Sequence, residues 1–151
     1  MVIFLLIDDY GHHPKEIQAV MLSIREGWPN RRLVIIFQPH RYTRTKQLFF
    51  DFIQVLGCFD YIILLDIYSA GETAIPDISS QRLCNEISEN YGNKVVLVSK
   101  NRSLNLEDSL LLELNKTLED GDILLMQGAG DVGKITAKLV TKLHVGENVK
   151  T

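Results

Sequence analysis

The chain has 151 residues, 46% hydrophobic and 23% charged, with a formal net charge of −3 and a pI near 5.8. These values fit one globular domain with enough length for a real core, and they exclude the basic face that broad nucleic-acid binding requires. Cys58 and Cys84 are the only cysteines. Both fall in segments that read as helix, with no partner at metal-ligand spacing, so two reduced, buried thiols of a cytosolic protein are expected.

The first apolar run, Val2 to Ile7, reads as a buried strand. It is too short for a membrane span, and two aspartates follow it without a preceding basic stretch, so it is not a signal segment. The chain starts almost inside this strand, which leads us to expect a piece of a longer protein. Lys15 to Glu26 places Ile17, Val20, Met21 and Ile24 on one helical stripe, with Pro14 suited to the first turn. Leu33 to Phe37 is the second strand. Thr45 to Leu56 puts Leu48, Phe49, Phe52 and Ile53 on a second stripe. Tyr61 to Leu65 is the third strand, and Ser79 is a suitable cap for a helix running to about Asn90. Lys94 to Val98, a helix over Asp108 to Leu118, Asp122 to Met126 and a helix over Asp131 to Leu143 complete the series. The strands are continuously apolar, as strands covered on both faces are. Strand and helix alternate throughout, which predicts an α/β fold: a doubly wound, mainly parallel sheet of five or six strands with right-handed crossovers.

In such a sheet, ligands bind at the carboxyl ends of the strands. Polar segments collect there. Asp8-Asp9-Tyr10-Gly11-His12-His13-Pro14 follows the first strand and Gln38-Pro39-His40-Arg41-Tyr42-Thr43-Arg44-Thr45 the second. Asp66 to Glu72 follows the third, and Gln127-Gly128-Ala129-Gly130-Asp131 the fifth.

Each segment has a plain and a functional reading. Asp8 and Asp9 suit a turn or cap, or an ionised acceptor for ribose hydroxyls. His12 and His13 are adjacent and diverge in most backbone conformations; with His40 they are better hydrogen-bond donors to a substrate than zinc ligands. Arg41 and Arg44 lie beside His40, and a planar guanidinium matches a carboxylate or phosphate bidentately, so an anion clamp is expected over a merely solvated face. Tyr68, Gly71 and Glu72 border the same edge, and Glu72 has an arginine within reach as an alternative partner. Gly128-Ala129-Gly130-Asp131-Val132-Gly133 matches G-x-G-x-x-G between a strand and a helix. Too little chain follows for the second strand and the acidic residue that a dinucleotide fold places about 20 residues further on. A tight turn, or a helix start whose backbone N–H groups face a ligand anion, remains. Lys134 precedes Ile135 rather than Ser or Thr, so no nucleotide-triphosphate phosphate loop is present.

Taken together, in this order and over nearly the whole chain, these segments resemble the C-terminal domain of the Mur ligases. The resemblance implies a Rossmann-like third domain of a three-domain, ATP-dependent ligase of bacterial peptidoglycan precursor synthesis, acting in the cytoplasm. It implies ATP, UDP-N-acetylmuramate and L-alanine as reactants, and magnesium held mainly by a central domain outside this chain. Asp9, Tyr10 and His13 are then expected at the nucleotide. His12, His40, Arg41, Arg44, Gly128, Ala129 and Gly130 are expected at the amino-acid carboxylate and the acyl-phosphate region. The chain alone is expected to bind weakly and to catalyse nothing, without binding nucleic acid, membrane or a metal of its own. Two rival readings stand beside this one: a stand-alone dinucleotide-binding module on Gly128 to Gly133, and a metal-dependent hydrolase on His12, His13 and His40.

Overall fold

The computed structural model describes residues 2–92 and 94–143. Its elements run β1 (Leu5–Asp9), α1 (Pro14–Gly27), β2 (Leu33–Phe37), α2 (Tyr42–Gln47), α3 (Phe49–Leu56), β3 (Tyr61–Leu65), α4 (Ser80–Tyr91), β4 (Lys94–Val98), α5 (Leu106–Thr117), β5 (Ile123–Gln127) and α6 (Val132–Lys142). The five strands form one sheet in the order β1-β5-β2-β3-β4. Every neighbouring pair is parallel.

Period-two alternation divides each strand between two cores. Leu33, Ile35 and Phe37 face one side and pack with Ile17, Met21 and Ile24 of α1, the apolar stripe of α3, and Leu83 and Ile87 of α4. Val34 and Ile36 face the other side, against Leu110 and Leu114 of α5 and Val132, Ile135 and Leu139 of α6. The sheet is therefore doubly wound, and β5, the last of the described strands, fills the place between β1 and β2.

Several expectations need correction. The first strand lies later than the Val2 to Ile7 run, ending at Asp9, because Asp8 and Asp9 continue the ladder opposite Met126 and Gln127. The fifth is likewise shifted onto Gln127. The helix over Thr45 to Leu56 is two helices, broken at Leu48, whose φ of −109° and ψ of 20° leave helical geometry. The helix expected at Asp108 begins at Leu106, capped by the Asn105 side chain. Ser79 does cap α4, accepting the Arg82 amide at 3.1 Å. Cys84 is buried, and burial pushes its thiol up to about 11. Cys58 is exposed, not buried, because it follows the end of α3 and donates its thiol back to the Gln54 carbonyl.

The amino-terminal rim of the sheet is closed by ion pairs. Asp122, only 2% exposed, takes Arg32 bidentately, Nε at 3.0 Å and Nη2 at 2.7 Å, together with the Glu119 amide at 2.8 Å. Arg32 also donates to the Thr117 carbonyl. Asp60 takes the Leu33 amide at 2.8 Å and Arg25 at 3.0 Å.

Candidate functional site

At the opposite rim the strand order brings the ends of β1, β5, β2 and β3 side by side. Asp9 lies across from Gln127, and Phe37 lies on the other side of Gln127. Beyond the ladder, His40 and Tyr68 form an isolated parallel bridge, with the Arg41 amide on the Tyr68 carbonyl and the Tyr68 amide on the Pro39 carbonyl, both at 2.8 Å.

The turn from β1 into α1 is set by its own side chains. His13 is the N-cap; its Nδ1 accepts the Lys15 amide at 3.1 Å. The Glu16 carboxylate returns to the His12 and His13 amides at 2.9 and 2.8 Å, completing a capping box. Those two amides hold the Glu16 carboxyl below its usual range. Capping commits Nδ1 of His13, so only Nε2 is left to a ligand. Gly11 is required for close approach: a Cβ there would stand 2.6 Å from Gln127 Nε2 and 2.7 Å from Asp9 Oδ2.

The imidazoles of His12 and His40 come together, with ring centroids 5.9 Å apart, and Tyr10 meets His12 edge-on at 6.0 Å. His40 also stacks on Tyr68 at 5.4 Å. Arg44 Nη1 lies 3.0 Å from His40 Nδ1 and donates to the His40 carbonyl at 3.3 Å. A guanidinium only donates, so Nδ1 of His40 is an acceptor and the proton of the neutral ring sits on Nε2. Burial, then the charge of Arg44, lowers the pKa of His40. The ring is thus held as a neutral N–H donor. The Nδ1 atom of His12 is buried with no hydrogen-bond partner, and so is Oε1 of Gln127.

The expected pair of arginines divides its roles. Arg44 is half-buried and turned onto His40. Arg41 is exposed, and its guanidinium makes no hydrogen bond or ion pair among the described residues. Its backbone sits at φ 72°, ψ 139°, far outside the regions an L side chain adopts freely. The conformation is held by the Arg41 amide on Tyr68 and by the Thr45 hydroxyl on the Arg41 carbonyl at 2.8 Å. Glu72 does not pair with an arginine; its carboxylate takes the Thr43 hydroxyl at 2.6 Å and the Thr43 amide at 3.1 Å, which hold its pKa down. That link ties the loop after β3 to α2.

Gly128, Ala129 and Gly130 cross between these groups. Gln38, buried, donates its amide to the Gln127 carbonyl and accepts the Asp131 amide on Oε1 at 2.9 Å. A Cβ on Gly130 would meet Gln38 Oε1 and Tyr68 Cγ at 2.7 Å each. Asp131 is the N-cap of α6 but makes no side-chain cap bond, so backbone donors at that helix start stay open.

The structure therefore gathers Asp9, Tyr10, His12, His13, His40, Arg41, Arg44 and Gly128 to Gly130 along one rim. Two residues escaped sequence reasoning. Gln38 and Gln127 anchor the loops, and the only signal for either was a polar residue closing an apolar run. Among the described residues no three His, Cys, Asp or Glu side chains group as a metal site, so His12, His13 and His40 do not form the hydrolase centre weighed above. No described helix is long and apolar enough to cross a membrane.

The family model for the Mur ligase, glutamate ligase domain matches residues 3–130. A curated relative, the UDP-N-acetylmuramate–L-alanine ligase of Legionella pneumophila strain Philadelphia 1, is 47% identical over 92% of this chain. The same enzyme of strain Corby is 46% identical. The chain spans 28% of the length of each. Among solved structures, the UDP-N-acetylmuramate-alanine ligase of Thermotoga maritima aligns with a TM-score of 0.64 at 25% identity, covering 92% of this chain and 26% of that one. A murein peptide ligase of Psychrobacter arcticus shares the fold, with a TM-score of 0.69 at 17% identity over 97% of this chain and 28% of that one.

Proposed function

This chain belongs to the Mur ligase family, and from that premise we propose that it is the C-terminal domain of a three-domain, ATP-dependent ligase joining L-alanine to UDP-N-acetylmuramate in the bacterial cytoplasm. In the reaction proposed for the whole protein, the γ-phosphoryl of ATP passes to the lactyl carboxylate, giving an acyl phosphate and ADP. The alanine amine then attacks the acyl carbon, phosphate leaves, and the amide forms with loss of a proton. The UDP-sugar domain and the phosphate loop lie outside these residues. None of the described side chains is assigned to magnesium.

The observation that carries the reading is the convergence of Asp9, the His12–His40 pair and Arg41 on the carboxyl rim. Asp9 receives the ATP ribose, with Tyr10 and Nε2 of His13 beside the nucleotide. Arg41, whose guanidinium makes no hydrogen bond or ion pair among the described residues, takes the amino-acid carboxylate, a match worth about 1.5–3 kcal/mol for a charge-assisted hydrogen bond. Neutral His40 donates from Nε2, and backbone N–H groups at the start of α6 face the acyl phosphate. Placing both reactants against one rim supplies the proximity that amide formation gains from most.

The test is a nuclear magnetic resonance titration of the chain with ATP and with NAD(H). Weak ATP binding that moves the Asp9 to His13 resonances supports the reading; micromolar NAD(H) binding overturns it in favour of a dinucleotide module. In the full-length ligase, Arg41→Ala raises the alanine KM about 10- to 100-fold. Unchanged kinetics would remove Arg41 from the site.

A further inference from the structure

We propose that Gln127 is a positioning residue that decides which oxygen of Asp9 meets the ligand, and so makes the site read a ribose diol. The inference rests on the assignment of Asp9 to the ribose. Gln127 is fully buried at the end of β5, directly across the ladder from Asp9. Its Nε2 donates to Asp9 Oδ2 at 2.7 Å. The Gly11 amide donates to the same oxygen at 2.9 Å. Two neutral donors therefore saturate Oδ2, while Oδ1 accepts no hydrogen bond among the described residues. The carboxylate is fixed in rotation, and its unencumbered oxygen is left for hydroxyl donors.

The unpartnered acceptor of Gln127 points the same way. Its Oε1 is buried with no partner, an arrangement that costs free energy. Turning the carboxamide over would not relieve this, because it would set Oε1 against Asp9 Oδ2, acceptor against acceptor. The orientation is thus dictated by the carboxylate. A carboxamide is suited to the task because it donates without adding charge. A lysine there would neutralise Asp9, and a glutamate would repel it. Gly11 is part of the same device, since any side chain there would collide with both partners.

The experiment compares ATP with 2′,3′-dideoxy-ATP on the 151-residue chain by nuclear magnetic resonance titration. The unmodified chain should prefer ATP by about tenfold, the share of one charge-assisted hydrogen bond. In Gln127→Leu, which keeps an apolar side chain and removes the donor, ATP affinity should fall to that of the dideoxy nucleotide while dideoxy affinity stays put. A merely structural role would weaken both alike, and that result overturns the proposal. In Gln127→Glu a second carboxylate replaces the donor and faces Asp9, so the preference for ATP should be lost. A preference preserved in that variant overturns the proposal.

The unmodified chain supplies a readout that needs no variant. The Gln127 side-chain amide protons should shift on adding ATP and not on adding the dideoxy nucleotide; equal shifts overturn the proposal. Equal affinity of the unmodified chain for the two nucleotides sinks the ribose assignment and this inference with it. A discriminating chain whose Gln127→Leu variant discriminates equally sinks this inference alone.

Discussion

The two rims of the sheet are built on opposite principles. At the amino rim, Asp122 and Asp60 each hold both an arginine and a backbone amide, and Arg32 and Arg25 also reach backbone carbonyls. At the carboxyl rim, Arg41 is strained and makes no ion pair, Ala70 also lies at positive φ, and two buried polar atoms, His12 Nδ1 and Gln127 Oε1, find no partner among the described residues. Both rims close the same sheet, so the contrast cannot come from folding alone. Unmet hydrogen-bonding capacity and strained backbone are concentrated where ligands bind in this fold.

Substitutions can break this contrast. The largest effect is expected from Asp122→Ala at the amino rim. It strips Arg32 of its bidentate partner, leaving it the Glu119 carboxylate at 3.5 Å, and frees the Glu119 amide, costing about 3 kcal/mol in urea unfolding. The folded fraction should still bind ATP; lost binding in the folded fraction would show that the rims are coupled. Next comes Gly130→Ala. Its methyl group must push aside Gln38 and Tyr68, an overpacking cost of about 1–3 kcal/mol. The His40 ring resonances should move as the Tyr68 stack shifts, and unmoved resonances would argue that the loop gives way elsewhere.

Arg41→Gly should go in the opposite direction. Relief of the φ 72° backbone, less the added entropy of glycine in the unfolded chain, should stabilise by up to about 1 kcal/mol. Stabilisation combined with lost amino-acid affinity in the full ligase would make the strain functional; destabilisation would refute it. The smallest effect is pH-dependent. The pKa of His40 is lowered in the folded state, so its contribution is present above the unfolded value near 6.5 and is lost as pH falls through the folded one. Following His40 by proton resonance, Arg44→Met should raise its titration midpoint. A fall, or no change, would detach Arg44 from that ring.

The fold was largely legible in the sequence. β2, β3 and β4 match their apolar runs end to end, because strands covered on both faces are written as continuous hydrophobic stretches. The apolar runs at β1 and β5 start before the strands at the amino rim and stop short of them at the carboxyl rim. There the strands continue into Asp9 and Gln127, polar residues that hydrogen-bond across the ladder, and hydropathy cannot see a strand that ends on a polar pair. The loops carrying histidine and arginine were readable as chemistry. Gln38 and Gln127 were not, because their work depends on β5 lying between β1 and β2, a neighbourhood that no local pattern encodes. The break at Leu48 was equally hidden, since the apolar stripe continues across it.

The insertion of β5 between β1 and β2 has a consequence for biosynthesis. β1 has no partner among the described strands except β5, more than a hundred residues downstream. A nascent chain emerging from the ribosome can assemble β2, β3 and β4 early, but its first strand must wait, apolar and unpaired, until nearly the whole domain has been made. Such delayed long-range closure slows folding and prolongs exposure to aggregation. The Asp9 carboxylate, set by its contact with Gln127, is therefore among the last features to take shape.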